Sequence, residues 1–449
     1  MKVRLEYDRG TLIIRGQYGT PFSVWDDRIG AFRAPAYKYP DIKNYLSKSG
    51  IEVEDKVMSP PPFEQLERKR VIKLHPYQEE ALRFWFSSGS KGVIVLPPGS
   101  GKTIIAMEAM ERLQKPTLIV VPTLPLLDQW VNRLEDFFGI EVGILGGGKK
   151  EIKGVTVSTY DSAYLRAEEL GNKFLLAVFD ECHHLAAEGY SQIGEMLASE
   201  HRMGLTATFE REDGAHVRLL SLIGGVVYKM KPTELAGEHL ADFEVVKIPV
   251  RLKPEEKEQY EGLMSEYKKS LSKAGIRLER LEDFKKLVIK SGISEDARKA
   301  LIARNKARKI AINSASKLEA LEEILKAHKW DKVLIFTEYN EMAHIIGQRF
   351  LIPVLTHRTS PAEREDILEG FRTGRYTKVV TSKVLDEGLD VPDARIAVVL
   401  GGSGSRREFI QRLGRILRRK EKRAILYEVV TSGTIEVSAS YRRRKALKE

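Results

Sequence analysis

The sequence predicts an α/β chain: two parallel-sheet domains in tandem, a helical insertion between them, and a small α+β domain at the N-terminus. Three observations predict it. Short β-branched runs alternate with helical stretches over residues 74–250 and again over 330–449, the rhythm of a doubly wound sheet. The intervening stretch, 251–329, is highly charged and has no strand-like run longer than Leu287-Val288-Ile289. It places Leu318, Leu321 and Leu325 at helical spacing. Residues 1–58 are set apart by Ser59-Pro60-Pro61-Pro62, because proline fixes φ and lacks an amide donor, and 59–73 reads as a linker.

Each unit has its own signals. In the first, Val3 to Tyr7 and Thr11 to Arg15 flank Asp8-Arg9-Gly10, the composition of a hairpin turn, and 36–46 reads as a short helix ended near Gly50. Phe22, Trp25, Phe32, Tyr37 and Tyr39 are interleaved with Arg28, Arg33 and Lys38. They form either the core of a small domain or a surface that stacks on exposed bases. In the first α/β domain, 93–96, 117–121, 175–179 and 203–206 read as buried parallel strands, with a helix over 103–113. The second series comprises 332–336, 379–380, 397–400 and 424–427.

Composition narrows the class. Among 449 residues, 42% are apolar, enough for several cores, but no apolar run approaches the ~20 residues that span a bilayer, so an integral membrane protein is not expected. Glu6 and Asp8 stand where a secretory signal would place its apolar segment. The single cysteine, Cys182, excludes a disulfide within the chain and an iron–sulfur cluster held by four thiolates, and it argues against structural zinc. A reducing, intracellular setting is expected. Of the net charge of +11, residues 253–309 contribute 16 Lys/Arg against 10 Asp/Glu, and 406–449 contribute 14 against 5, on a slightly acidic remainder. Two basic zones suggest a polyanion partner, a solvated helical surface being the alternative.

The chemistry begins at Leu96-Pro97-Pro98-Gly99-Ser100-Gly101-Lys102-Thr103, which follows a buried strand and opens a helix. Pro98, Gly99, Ser100 and Gly101 would cradle phosphate with backbone amides at a helix N-terminus. Lys102 would reach the β- and γ-phosphates, and the Thr103 hydroxyl would ligate Mg²⁺. Leu96 replaces the first glycine of the general pattern. A second apolar strand ends in Asp180-Glu181, two carboxylates at the carboxyl edge of the sheet. Asp180 would hold Mg²⁺, directly or through water, and Glu181 would orient and deprotonate the attacking water. His183 and His184 are adjacent, so a coupling role is expected rather than a shared metal.

Asp180-Glu181-Cys182-His183 resembles the DEAH-type box of superfamily 2 helicases. Other segments resemble that family's motifs in order: Leu74-His75-Pro76-Tyr77-Gln78, Val121-Pro122-Thr123, Ser158-Thr159-Tyr160, Gly204-Leu205-Thr206-Ala207-Thr208, Ile335-Phe336-Thr337, the run 381–390, and 411–418. The resemblance implies adenine contact by Gln78 and nucleic-acid contact at Thr123 and Thr159. It implies coupling through His183, Thr206, Thr208 and Gln411, and ATP contact by Gly388 and Asp390. Arg415 and Arg418 lie three apart, so on a helix they share a face, and forked guanidinium groups suit a γ-phosphate in its transition state.

Arg211-Glu212-Asp213 directly after that Thr-Ala-Thr, with Ile416-Leu417 inside the last motif, is most similar to the XPB family. That resemblance implies two RecA-like domains, a thumb-like helical insertion and an N-terminal damage-recognition domain. It also implies an ATP- and Mg²⁺-dependent DNA helicase or translocase acting on duplex, forked or damaged DNA in repair or transcription, with nuclease or repair and transcription proteins as partners. An archaeal or bacterial member would be cytoplasmic and associated with the nucleoid. The Arg211 loop is expected to act as a wedge at the duplex junction, since Glu212 and Asp213 would repel a phosphate. A duplex translocase without strand separation and a damage-binding scaffold with a weak motor are the alternatives.

Overall fold

The computed structural model describes residues 2–211, 213–235, 243–278, 281–382, 394–402 and 424–445. At the N-terminus, β1 (Lys2–Asp8) and β2 (Thr11–Arg15) pair antiparallel with Asp8 opposite Thr11. Arg9 and Gly10 are therefore a two-residue turn, and both have positive φ, 45° and 84°, the geometry that matches strand twist. β3 (Val24–Asp26), β4 (Ala31–Pro35) and β5 (Glu52–Lys56) complete a sheet of order β3-β4-β2-β1-β5. Helix α1 (Tyr39–Lys48) buries Tyr39, Ile42 and Leu46 against it.

The interleaved aromatics divide. Tyr39 is core and donates to Asp55 at 2.5 Å, and Phe22 and Phe32 pack half-buried around that core. Trp25 is 48% exposed, with its indole N–H on Asp27. Arg28 and Arg33 are both paired with Asp26, so the basic residues of this surface are largely neutralised within the domain.

The segment after Lys56 has no regular element until α2 (Pro76–Ser87), yet it does not hang free. Leu66 is buried, and Arg68 pairs with Glu108 and Glu111 of α3 (Lys102–Leu113). The first α/β domain carries β6 (Lys91–Val95), β7 (Thr117–Val121), β8 (Gly143–Gly146), β9 (Lys149–Lys150), β10 (Val155–Thr159), β11 (Leu176–Asp180), β12 (His201–Thr206) and β13 (Val226–Lys229). Their order is β13-β6-β12-β11-β7-β10-β8-β9, parallel except for β9. Central strands are apolar throughout because helices cover both faces. These are α2, α3 and α4 (Leu124–Phe138), with shorter helices α5 (Tyr160–Leu165), α6 (Ala167–Leu170), α7 (Ser191–Met196) and α8 (Val217–Leu222). Arg202, on β12, is the unexpected occupant of this core. Its guanidinium donates to the carbonyls of Gly194, Leu197, Ser199 and Leu222, and burial pulls its pKa down to about 10.

The N-terminal domain docks on the amino edge of this sheet. Tyr7 donates to the Glu168 and Met196 carbonyls at 2.9 and 3.2 Å, Lys43 pairs with Glu200, and Ala198 joins the N-terminal core. A Cβ on Gly171 would overlap the Tyr7 hydroxyl, so only glycine admits this approach.

After a short helix, α9 (Pro232–Leu235), the second unit has a sheet of β14 (Phe243–Val250), β15 (Val333–Phe336), β16 (Val354–Leu355), β17 (Lys378–Thr381), β18 (Ile396–Val399) and β19 (Ala424–Thr431). The order is β14-β19-β18-β15-β17-β16, all parallel. Two boundaries read from sequence move here. β14, read as the end of the first α/β domain, pairs over its whole length with β19 in the second sheet. Helix α13 (Ala315–Ala327), read as part of the insertion, covers that sheet: Leu318, Leu321 and Ile324 share one core with Val333, Ile335 and Val398. Periodicity marks a buried face but not the surface that buries it.

The insertion proper is α10 (Pro254–Lys273), α11 (Leu281–Lys290) and α12 (Glu295–Ile312). Alanines 297, 300, 303, 307 and 311 form the buried stripe of α12, which lets α10 approach closely through Tyr260 and Tyr267. Helices α14 (Asn340–Phe350), α15 (Pro361–Thr373) and α16 (Glu436–Lys445) complete the unit.

Candidate active site

The site is built where β6, β11 and β12 end. Gly99 and Gly101 have φ of 80° and 77°, which turn the chain from β6 into α3. A Cβ at Gly101 would meet the Gln78 amide nitrogen at 2.5 Å, so glycine also provides room for α2. Lys102 Nζ donates to the Leu96 and Pro97 carbonyls at 3.0 and 3.2 Å and thus folds back over the loop that a phosphate would occupy. Gln78 is 2% exposed: its Oε1 accepts from the His75 amide, and its Nε2 donates to the Ser100 carbonyl at 3.0 Å. Tyr77 donates to the same carbonyl at 2.7 Å, and burial pushes its phenol up to about 12.

Directly after Asp180, the last residue of β11, Glu181 takes a left-handed conformation, φ 47° and ψ 52°. That is a strained geometry for a non-glycine residue, and such strain clusters at functional sites. Asp180 is 8% exposed; Oδ2 accepts from the Trp130 indole at 2.8 Å and Oδ1 from the Glu181 amide at 3.0 Å. Glu181 Oε2 lies 3.4 Å from Thr206 Oγ1 and from His183 Nδ1, and His183 Nδ1 lies 3.2 Å from Thr206 Oγ1. Thr206 Oγ1 also donates to the Thr208 carbonyl at 2.9 Å. The Glu181 carboxylate, His183 and the Thr-Ala-Thr turn are therefore one hydrogen-bonded group. Cys182 is fully buried beneath them, and burial pushes its thiol up.

Thr123 and Thr159 sit at the same sheet edge as N-caps of α4 and α5, accepting from the Leu126 and Ser162 amides. Arg211 holds Asp213 through both carboxylate oxygens, 3.0 and 2.7 Å, and donates to the His183 carbonyl at 2.8 Å. The Asp213 carboxyl is held well below the usual range by that guanidinium. Glu212, Gly388, Asp390, Gln411, Arg415 and Arg418 lie outside the described residues.

Sequence reading missed Trp130 and Arg133. On α4 they are three residues apart, and while Trp130 holds Asp180, Arg133 Nη1 donates to Thr103 Oγ1 at 3.1 Å. One turn of α4 thus addresses both residues expected to ligate the metal. In sequence, a tryptophan on an amphipathic helix is indistinguishable from a core residue. At the carboxyl edge of the second sheet two ion pairs were also invisible. Lys317, fully buried, binds Glu436 through both oxygens at 2.7 Å and the Leu400 carbonyl at 2.6 Å. Arg308 of α12 binds Glu338, just past β15, at 2.7 and 2.9 Å.

Residues 71–211 match the family described as type III restriction enzyme, res subunit, and 316–420 match the helicase conserved C-terminal domain. The solved Pyrococcus furiosus Hef helicase domain superposes with a TM-score of 0.55 over 82% of this chain and 97% of that one, at 21% identity, a likeness of fold. Two sheets of this topology, the first carrying a phosphate loop and an Asp-Glu edge, define the class as a superfamily 2 helicase.

Residues 5–57 match the Xeroderma pigmentosum group B helicase damage recognition domain. The chain is 47% identical over 443 residues to DNA 3′-5′ translocase XPB2 of Sulfurisphaera tokodaii, covering 99% of this chain and 100% of that protein. It is 30% identical to DNA 3′-5′ helicase XPB of Kineococcus radiotolerans, covering 84% of this chain and 63% of the relative. The chain belongs to the XPB helicase family.

Proposed function

We propose that this protein is an ATP-driven motor that moves 3′ to 5′ on DNA and opens duplex, forked or damaged DNA. The observation that carries the reading is the single hydrogen-bonded group of Glu181, His183 and Thr206 on a sheet edge shared with the Lys102 loop, in a chain 47% identical end to end to a DNA 3′-5′ translocase. The residues suit the cofactors. Thr103 and Asp180 supply hard oxygen donors, and no group of three or more His, Cys, Asp or Glu side chains able to hold a metal occurs among the described residues. Magnesium on a nucleotide keeps several waters and needs only one or two protein oxygens. Thr103 and Asp180 would hold Mg²⁺, which would supply neutralisation of the charge that develops in the transition state.

In this mechanism Lys102 leaves the Leu96 and Pro97 carbonyls for the phosphates. Pro98, Gly99, Ser100 and Gly101 shape the loop, and Gln78, already fixed to Ser100, ties α2 to it and reads the base. Glu181 takes the proton of the attacking water. His183, Thr206, Thr208 and Gln411 relay the change, Gly388 and Asp390 line the nucleotide, and Arg415 and Arg418 neutralise the transition state. Thr123, Thr159 and the basic insertion hold DNA phosphates.

The damage-recognition match supports a role in DNA repair; transcription-linked opening, and a nuclease or other repair and transcription proteins as partners, belong to the same proposal. No helix among the described residues is long and apolar enough to cross a membrane; a cytoplasmic, nucleoid-associated protein is the reading proposed. The alternative, duplex translocation without strand separation, is favoured by the S. tokodaii relative, a DNA 3′-5′ translocase. Strand displacement from a 3′-tailed fork, measured beside triplex displacement on plain duplex, separates the two. The motor reading expects both signals to require ATP; triplex displacement alone would establish the translocase.

A further inference from the structure

Arg211 has a structural role that a wedge at the duplex junction does not explain. The 3₁₀ turn that follows Glu181 presents four carbonyls. Those of Glu181, Cys182 and His184 accept from the backbone amides of His184, Leu185 and Ala187. The fourth, that of His183, accepts from Arg211 Nη1 at 2.8 Å. The guanidinium is not free to wander: its Nε and Nη2 bind both oxygens of Asp213 at 3.0 and 2.7 Å, and its side chain is only 24% exposed. The loop is closed around it. The Arg211 amide donates to His216 Nδ1 at 3.2 Å, and Asp213 Oδ1 accepts from the Ala215 amide at 3.0 Å.

His183 is the residue whose ring meets Thr206 and Glu181 on the other side of the same turn. Glu181 itself sits in a left-handed conformation that only its surroundings can maintain. Beside the backbone route from Thr206 and Thr208, His183 thus links the Glu181 carboxylate, through its ring, to the Arg211 guanidinium, through its carbonyl. A cation charge-assisted to Asp213 and donating to that residue's backbone fixes the turn from outside the nucleotide pocket.

We propose that Arg211 is a positioning residue for hydrolysis: with Asp213 as its anchor it holds the turn after Glu181, and so sets the geometry of the catalytic carboxylate. This rests on the motor reading above and deepens it. The loop following the Thr-Ala-Thr turn would then be a direct mechanical link between hydrolysis and whatever the loop meets on DNA. Displacing Arg211 from the His183 carbonyl would change the rate of hydrolysis, and rearranging the turn would move the loop. Paired with Asp213, the Arg211 guanidinium is poorly suited to a plain phosphate contact.

The test uses the full chain with Arg211→Ala, Arg211→Lys and Asp213→Asn, reading steady-state phosphate release without DNA and with saturating forked DNA. Arg211→Ala should lower kcat about tenfold in both conditions, the loss of one charged hydrogen bond, with KM for ATP within about twofold. Arg211→Lys retains one charged donor for the His183 carbonyl and should recover most of kcat. Asp213→Asn, which keeps the guanidinium but not its charged anchor, should cost about two- to threefold. Wild-type kcat in the DNA-free Arg211→Ala protein, with strand displacement abolished, would overturn the proposal and leave a loop that acts on DNA alone. An equal fall in Arg211→Ala and Arg211→Lys with a raised KM would overturn it in favour of general disruption. Lys102→Ala, run alongside, reports on the motor reading separately: a mutant that hydrolyses like wild type would defeat that reading whatever Arg211 does.

Discussion

The carboxyl edges of the two sheets are held in different ways. The first is a web of single hydrogen bonds between motif residues, some buried (Trp130, Asp180, His183, Thr206) and some half-buried (Lys102, Glu181, Arg211): Lys102 on its own loop, Trp130 on Asp180, Thr206 and His183 on Glu181, Arg211 on His183. The second is clamped by two ion pairs whose carboxylates are almost sealed, Lys317 with Glu436 and Arg308 with Glu338, at 2% and 4% side-chain exposure. Each bond of the web contributes about 0.5–3 kcal/mol net, the upper end where a charged group takes part, whereas breaking a buried pair from one side costs roughly 3–5 kcal/mol. Single bonds let the first edge exchange partners one at a time, whereas two ion pairs tie the elements of the second edge together. Arg308 lies on α12, so the insertion is fixed to the strand-end loop of the second sheet.

The largest effects should come from the residues proposed to act in the transition state. Arg415→Ala and Arg418→Ala should each reduce hydrolysis by about 10³ to 10⁵ while nucleotide binding largely survives. Rapid-quench turnover beside nucleotide titration checks this; an equal loss of affinity with unaltered turnover would assign them a ground-state role.

At the clamped edge, stability rather than turnover should respond. Glu436→Gln leaves the Lys317 ammonium buried without its counter-charge and should cost the second domain roughly 3–5 kcal/mol, read from denaturant unfolding. Lys317→Met combined with Glu436→Leu should recover much of that. A single mutant as stable as wild type would erase the contrast between the edges.

Trp130→Phe sharpens the other side of the comparison. It removes the donor to Asp180 Oδ2 without emptying the core, so the Mg²⁺ concentration for half-maximal hydrolysis should rise several-fold while the melting temperature barely moves. If melting falls and the Mg²⁺ requirement is unchanged, Trp130 is a packing residue.

The smallest effect concerns salt. Residues 253–309 cannot simply be deleted, because Tyr260, Ala307 and Ala311 share a buried cluster and Tyr260 accepts from the Ile435 amide. Replacing the exposed Lys268, Lys269, Lys273 and Lys306 with glutamine preserves the helices. For every phosphate that one of these lysines neutralises, its replacement should flatten the dependence of log affinity on log salt by about 0.9 on duplex DNA. A slope that does not change would shift the DNA path away from this face.

Much of this was legible in the residues. The Asp8-Arg9-Gly10 turn, the buried strands and the phosphate loop announce themselves because each needs particular local chemistry. Register does not: the apolar run of β14 would suit either sheet, and only pairing with β19 over eight residues decides it. The leucines of α13 likewise declare a buried face and not its partner. The docking of the N-terminal domain depends on Gly171 and Tyr7, separated by more than 160 residues and unremarkable in sequence. It also sets the damage-recognition match at the amino edge of the first sheet, opposite the phosphate loop. The Arg211 loop was identified, but its link to His183 is a side-chain-to-backbone bond, which no residue pattern encodes.

The central claim is that the Lys102 loop and the Glu181 group form one ATP-hydrolysing site that answers to DNA. Phosphate release by the wild-type chain and by Lys102→Ala, each with and without forked DNA, tests it most directly. DNA should stimulate the wild type, and Lys102→Ala should be inactive in both conditions with its melting temperature unchanged. Hydrolysis indifferent to DNA, or persisting in Lys102→Ala at the wild-type rate, would contradict it.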